Sequence, residues 1–165
     1  SIETRKEVNE GYSAIGGLYR RYELIYIVAD ERDAIRVGTN YRKGEDIYLY
    51  RLRVTPEQAR QRLMDYLNAL NELHDHPKWY NAVTTNCTTS IRTQHAAEDR
   101  APWDWRMLLN GRMDELLYER HGLVDEGKDF ATLKRQARIN EAAKAADSAP
   151  DFSRQIRQGR VGFKP

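Results

Sequence analysis

Cys87 is the only cysteine of the 165-residue chain, and it sits in the frame Tyr80-Asn81-Ala82-Val83-Thr84-Thr85-Asn86-Cys87-Thr88-Thr89-Ser90-Ile91-Arg92. Thr and Asn are poor in the middle of a helix and good at its start, where short polar side chains accept the unpaired N–H groups of the first turn. The frame therefore predicts a helix from about Thr88 onward, with Cys87 at or beside its N-terminus. There the helix dipole favours the thiolate, the nucleophilic form of the side chain. A lone cysteine can also be a small buried hydrophobe. The polar flanks favour the nucleophile reading, because a purely structural cysteine more often has apolar neighbours.

A thiol nucleophile needs a base within hydrogen-bond reach, usually a histidine, and often a third group to orient it. The chain has four histidines. His74 and His76 fall at the C-terminal end of a predicted helix, where an imidazolium complements the dipole. The pair His74-x-His76 lacks an apparent third ligand for a metal site. His95 is eight residues after Cys87 on the same predicted helix, about 12 Å along its axis, too far to act as the base. His121 precedes Gly122 and reads as a helix C-terminus. Trp103-Asp104-Trp105 is the other dense feature. Asp104 can cap a helix, and the two tryptophans read as core and rim anchors or as the wall of a substrate groove.

The elements that must position these residues divide along the chain. Ser1 to Arg5 alternates like a strand. Tyr22–Ala29, Ala34–Thr39 and Asp46–Val54 also have strand-like spacing and composition. The short connections 30–33 and 40–45 suggest an antiparallel meander. Gly11 to Gly17 reads as a loop. Thr55-Pro56-Glu57-Gln58 then opens a helix with a capping box and proline at its first position. Its apolar face is predicted to be Ala59, Leu63, Tyr66, Leu67, Leu70 and Leu73, and Pro77 ends it. After the Cys87 helix, a third is predicted over Pro102–His121, with Trp105, Leu108, Leu109, Met113, Leu116 and Leu117 inward. A fourth is predicted over Phe130–Ala146 and a short one over Asp151–Gln158. Strands followed by helices predict an α+β fold, an antiparallel sheet in the N-terminal half packed against a helical C-terminal half. Residues 1–147 read as a single α+β domain and 148–165 as a short helix with a basic tail.

Composition bounds the partners. Hydrophobic residues make up 40% and charged residues 32% of the chain, and the net charge is +2. That charge does not argue for nucleic acid. Nor does the tail, with nine Lys/Arg against four Asp/Glu from Lys128 on; it reads as a solvated helix face. No stretch approaches the roughly 20 apolar residues of a membrane span. One cysteine excludes an internal disulfide and a multi-cysteine zinc site. The thiol chemistry needs no cofactor and no metal. Ser1 is not an initiator methionine, and the strand-like start reads as a beginning inside a domain.

Ser1-Ile2-Glu3-Thr4-Arg5-Lys6-Glu7, Gly17-Leu18-Tyr19-Arg20-Arg21-Tyr22-Glu23-Leu24, Glu31-Arg32-Asp33, Tyr80 to Thr89 and Pro102-Trp103-Asp104-Trp105 together resemble the Lnb N-terminal periplasmic domain family of bacterial envelope proteins. The resemblance runs over most of the chain and implies a periplasmic or membrane-associated setting, with membrane segments outside this chain. The Asn86-Cys87 helix start also resembles the permuted branch of the papain-like cysteine hydrolases. In that branch a histidine on an upstream strand precedes the cysteine. The resemblance implies Cys87 as nucleophile, Asn86 or nearby backbone N–H groups at an oxyanion hole, and a base on a strand preceding Ser1. The implied substrates are amide or (thio)ester bonds in peptides, peptidoglycan stems or lipids. The alternative is the same fold used as a non-catalytic binding or structural module, with Cys87 a retained core residue.

Overall fold

The computed structural model describes residues 1–165 except 6–8, 10, 12, 14, 15, 18, 20, 96, 109–111 and 165. In chain order the elements begin with strands β1 (Ile2–Arg5) and β2 (Glu23–Tyr26), helix α1 (Glu31–Arg36) and a π-helical turn (Val37–Tyr41). Helices α2 (Pro56–Asp75) and α3 (Cys87–Thr93) follow, then 3-10 turns at Ala97–Asp99 and Trp105–Met107. The chain ends with α4 (Met113–Glu119), α5 (Phe130–Ala137), α6 (Asn140–Ala145) and α7 (Phe152–Gln155). The fold is α+β. It divides into two compact units: Ser1–Val28 with Val54–Met113, and Ala29–Arg53 with Asp114–Pro165.

The first unit carries the sheet. β1 and β2 pair antiparallel in the register Ile2↔Tyr26 to Arg5↔Glu23. The far edge of β2 is taken by Lys78–Tyr80: Leu24 N–H donates to the Lys78 carbonyl at 2.9 Å and Tyr80 N–H to the Tyr22 carbonyl at 2.8 Å. Ile2, Tyr22, Leu24 and Tyr80 form the buried core, with Tyr26, Tyr66, Leu73, Ala82 and Cys87 packed against it. The Tyr22 hydroxyl accepts from Ser13 N–H at 2.8 Å and donates to the Gly11 carbonyl at 3.1 Å. A fully buried phenol is thereby satisfied from the loop before it. Within Gly11–Gly17, expected as a loop, Gly16 and Gly17 are helical, with Gly17 N–H donating to the Ser13 carbonyl at 2.9 Å, and 12, 14 and 15 lie outside the described residues.

α2 starts as its sequence predicts. Thr55 Oγ1 accepts from Gln58 N–H, and the Gln58 side chain accepts from Thr55 N–H, with Pro56 at the first position. Its inward stripe differs from the prediction. Leu63 and Leu67 are 58% and 43% exposed, and no residue of α2 is fully buried. The half-buried stripe is instead Arg62, Asp65, Tyr66, Ala69, Leu70 and Leu73. Helical periodicity marks a face about a third of the circumference wide, and packing then selects the part that is used.

The second unit corrects the meander. Ala34–Thr39, expected as a strand, is helical: Asp30 accepts from Arg32 N–H and caps α1, and Glu31 and Asp33 occupy its first turn. The supposed turn 30–33 is the helix start, because carboxylates there complement the dipole. The π-helical turn places Gly38 against Ile47, where a Cβ would stand 2.7 Å from the Ile47 side chain. Asp46–Val54 is extended but joins no sheet, and its partners come from far downstream. Leu49 N–H donates to the Ala137 carbonyl, Ile139 N–H to Ile47, Arg53 N–H to Gly122 and Val124 N–H to Arg51, all at 2.8–2.9 Å.

Two predicted helices are interrupted, the first of them by those pairings. Phe130–Ala146 breaks at Arg138, which is extended (φ −66°, ψ 123°) where it bridges Tyr48. Asn140 fills the break: its Oδ1 accepts from Ile47 N–H at 2.9 Å and its Nδ2 donates to the Glu45 carbonyl at 2.8 Å. The predicted Pro102–His121 helix is a 3-10 turn and then α4; Leu109 lies outside the described residues. His121, rather than Gly122, takes the left-handed conformation past α4, with φ 55°. Ile139, Ala143, Ala146, Phe152 and Ile156 form a core exposed by no more than 1% at any member.

Candidate active site

Cys87 is the first helical residue of α3, placed there by Asn86. The approach is a tight loop. Asn81 Oδ1 accepts from the N–H groups of Val83 and Thr84, both at 2.9 Å, and Thr85 N–H returns to the Asn81 carbonyl at 2.9 Å. Asn81 is thus an Asx turn that stops the chain from extending beyond Tyr80. Asn86 then closes a capping box. Its Oδ1 accepts from Thr89 N–H at 2.8 Å, and its own N–H donates to Thr89 Oγ1 at 2.9 Å. Its Nδ2 donates to the Ala82 carbonyl at 2.8 Å, which ties the helix start to the loop. Asn86 is only 3% exposed, so its amide is committed to local geometry.

Cys87 is half-buried. Its Sγ lies 3.9 Å from Thr88 Oγ1, and the side chain packs against the core cluster of Ile2, Tyr22, Leu24 and Tyr80, as do Tyr66 and Leu73 of α2. Burial raises the pKa of the Tyr66 phenol, and Tyr26 and Cys87 beside it act in the same direction. Tyr26 and Tyr66 meet edge to face, with ring centroids 6.4 Å apart. The wall beside the thiol is therefore aromatic and supplied by β2 and α2. Sequence reading assigned Tyr66 to a core face and did not associate it with Cys87. The signal for the association is tertiary, since α2 and α3 meet only in the folded unit.

His95 lies beyond the end of α3 and contacts the Arg62 guanidinium, with Nδ1 at 2.9 Å. His74 is in the last turn of α2, His76 is its C-cap, and both are exposed. His121 belongs to the second unit. Among the described residues, no three of His, Cys, Asp or Glu are grouped as they would be around a metal ion.

Asp104 caps the 3-10 turn Trp105–Met107, accepting from Arg106 N–H at 2.9 Å, and holds the Arg106 guanidinium at 2.9–3.0 Å. Trp103 and Trp105 are each 53% exposed, so neither anchors the core. Arg92 of α3 lies over the Trp103 ring at 5.8 Å, and Arg112 over Trp105 at 5.5 Å. The motif is a rigid, half-exposed aromatic rim on the unit that carries Cys87.

No described helix is long and apolar enough to cross a membrane. No curated protein and no solved structure is significantly similar to the chain. Residues 1–111 match the sequence profile of the Lnb N-terminal periplasmic domain. That span holds β1, β2, the capping box of α3 and the Trp103-Asp104-Trp105 turn, and over two thirds of its length the chain belongs to the Lnb N-terminal periplasmic domain family of the bacterial envelope.

Proposed function

We propose that this periplasmic domain is a thiol hydrolase or acyltransferase with Cys87 as its nucleophile. The observation that carries the reading is the thiol's place as the first residue of α3, directly after a buried capping asparagine. In the reaction, Cys87 Sγ attacks a carbonyl carbon and a C–S bond forms, leaving negative charge on the carbonyl oxygen. First-turn N–H groups of α3 are aimed out of the helix start and suit that charge, with Asn86 holding the turn in place. The C–N, C–O or C–S bond to the leaving group then breaks, and the leaving group departs with a proton. Water or a second nucleophile resolves the resulting thioester, giving hydrolysis or transfer.

The base that takes the thiol proton is a histidine from chain preceding Ser1, as the resemblance to permuted papain-like hydrolases implies. Suitable substrates are amide or (thio)ester bonds in peptides, peptidoglycan stems or lipids. The competing reading, a non-catalytic envelope module, draws on the packing of Cys87 against the buried cluster of Ile2, Tyr22, Leu24 and Tyr80. Iodoacetamide alkylation of Cys87 across pH, in a protein that includes the preceding segment, separates the two. The catalytic reading expects fast alkylation that persists below neutral pH and fails when the upstream histidine is replaced. Slow alkylation confined to alkaline pH sinks it.

A further inference from the structure

A groove of about 450 Å³ lies between α2 and α3 over β2, and all of its lining belongs to the first unit, which also carries Cys87. Its floor is Leu24, Tyr26 and Leu73. Ser90 lines it from α3; the residue is 5% exposed, and its buried Oγ has no hydrogen-bond partner among the described residues. Gln94, one turn further on, donates through Nε2 to the Tyr26 hydroxyl at 3.1 Å, while its buried Oε1 has none. Turning that amide over changes which atom is left over, not whether one is. Buried polar atoms are normally paired, because leaving one unpaired is costly. Two on one helix face, both lining one groove, point to a ligand that supplies the missing partners.

The groove's chemistry narrows the ligand class. Asp65 and Glu72 bring carboxylates to the lining and disfavour an anion. Both are already engaged, Asp65 with Arg62 at 3.3 Å and Glu72 with Lys78 at 3.6 Å, so the groove has no strong demand for a cation. A peptide backbone is best held by an open strand edge. β2 offers none, since β1 takes one side and Lys78–Tyr80 the other. Recognition must come from side chains that both donate and accept: the Ser90 hydroxyl and the Gln94 and Asn68 amides. Those match sugar hydroxyls, which also donate and accept, and the apolar floor matches the C–H face of a pyranose. We propose that this groove binds a short glycan, independently of any role for Cys87.

The test is NMR titration of the folded protein with N,N′-diacetylchitobiose and with cellobiose, following Leu24, Thr93 and the Gln94 side-chain amide. Saturable shifts confined to those groups are expected with at least one disaccharide. Ser90→Ala should remain folded and bind about tenfold more weakly, and Gln94→Met likewise. Cys87→Ala should bind as the parent does, which keeps this test separate from the catalytic reading. No shifts up to the solubility limit of both sugars, as for a groove that holds water only, would overturn the proposal. So would equal binding by Ser90→Ala and Gln94→Met, or shifts produced by a tri-alanine peptide and not by either sugar.

Discussion

The two units solve the same burial problem in opposite ways. The second closes a dry core from short pieces: α6 has six residues and α7 four, yet Ala143 and Phe152 are fully buried. The first contains the longest helix, 20 residues in α2, and none of them is fully buried. Its core is built around Tyr22 and Tyr80, with Asn86, Thr89 and Ser90 buried beside them. In the second unit, a half-buried phenol and a half-buried carboxylate are paired with each other. Tyr50 donates to Asp114 at 2.9 Å, and burial, then Asp114, raises its pKa. Lys134 meets the same carboxylate at 2.9 Å. In the first, Ser90 and Gln94 keep unpaired atoms facing a groove. Unpaired buried polar atoms cost stability, and the second unit carries one as well, Arg32 Nε. Element length is thus a poor guide to which part of a molecule is most tightly packed.

The contrast is broken most directly at Phe152. Phe152→Ala should cost about 3–5 kcal/mol in urea unfolding followed by far-UV circular dichroism. A cost below about 1 kcal/mol would show that the second core is not as close-packed as its burial implies. Next comes Tyr22→Phe, which strips a buried hydroxyl of its bonds to Ser13 N–H and the Gly11 carbonyl. A loss of about 1–3 kcal/mol is expected, with faster hydrogen exchange in β2.

Asn86→Ala removes the cap of α3 and its tie to Ala82, and should cost about 1–2 kcal/mol. On the catalytic reading it should also slow Cys87 alkylation, and Asn86→Asp should recover only part of the stability, because a carboxylate can cap α3 but cannot donate to the Ala82 carbonyl. Glu31 sets a smaller, pH-dependent effect. Its hydrogen bond to Arg157 lowers its pKa below the ordinary glutamate value of 4.5, against an opposing contribution from burial. A depressed folded-state pKa contributes stability that is present above 4.5 and lost as pH falls through the lowered value. Both side chains are 31% exposed, so screening keeps the contribution to about 1 kcal/mol or less. Melting curves through the acid range should show Glu31→Gln losing that limb of the pH dependence. The smallest effect belongs to Leu67→Gln on the exposed side of α2, expected within about 0.5 kcal/mol of the parent by urea unfolding.

What could be read without coordinates was local. The capping boxes at Thr55 and Asn86, the Asp104 cap and the Cys87 position are each set by side chains within three residues of the backbone groups they satisfy. The strand pair was half legible: β1 and β2 alternate, but the Lys78–Tyr80 segment on the far side of β2 carries no strand signal of its own. Ala34–Thr39 misled because six residues can be read with period two or as a helix turn, and the Asp30 cap decides between them.

The sequence by itself determined where α2, α3 and α5 begin, that one thiol opens a helix, and that the family is one of the bacterial envelope. Only the tertiary structure decided that Asp46–Val54 pairs with residues some 70 to 90 positions downstream, splitting a helix at Arg138. It alone turned Leu63 and Leu67 outward and brought Tyr66 to Cys87. The physical reason is range. A cap is satisfied by atoms a few ångströms away along the chain, while a groove, a helix break or a choice of buried stripe depends on surfaces that meet only after folding.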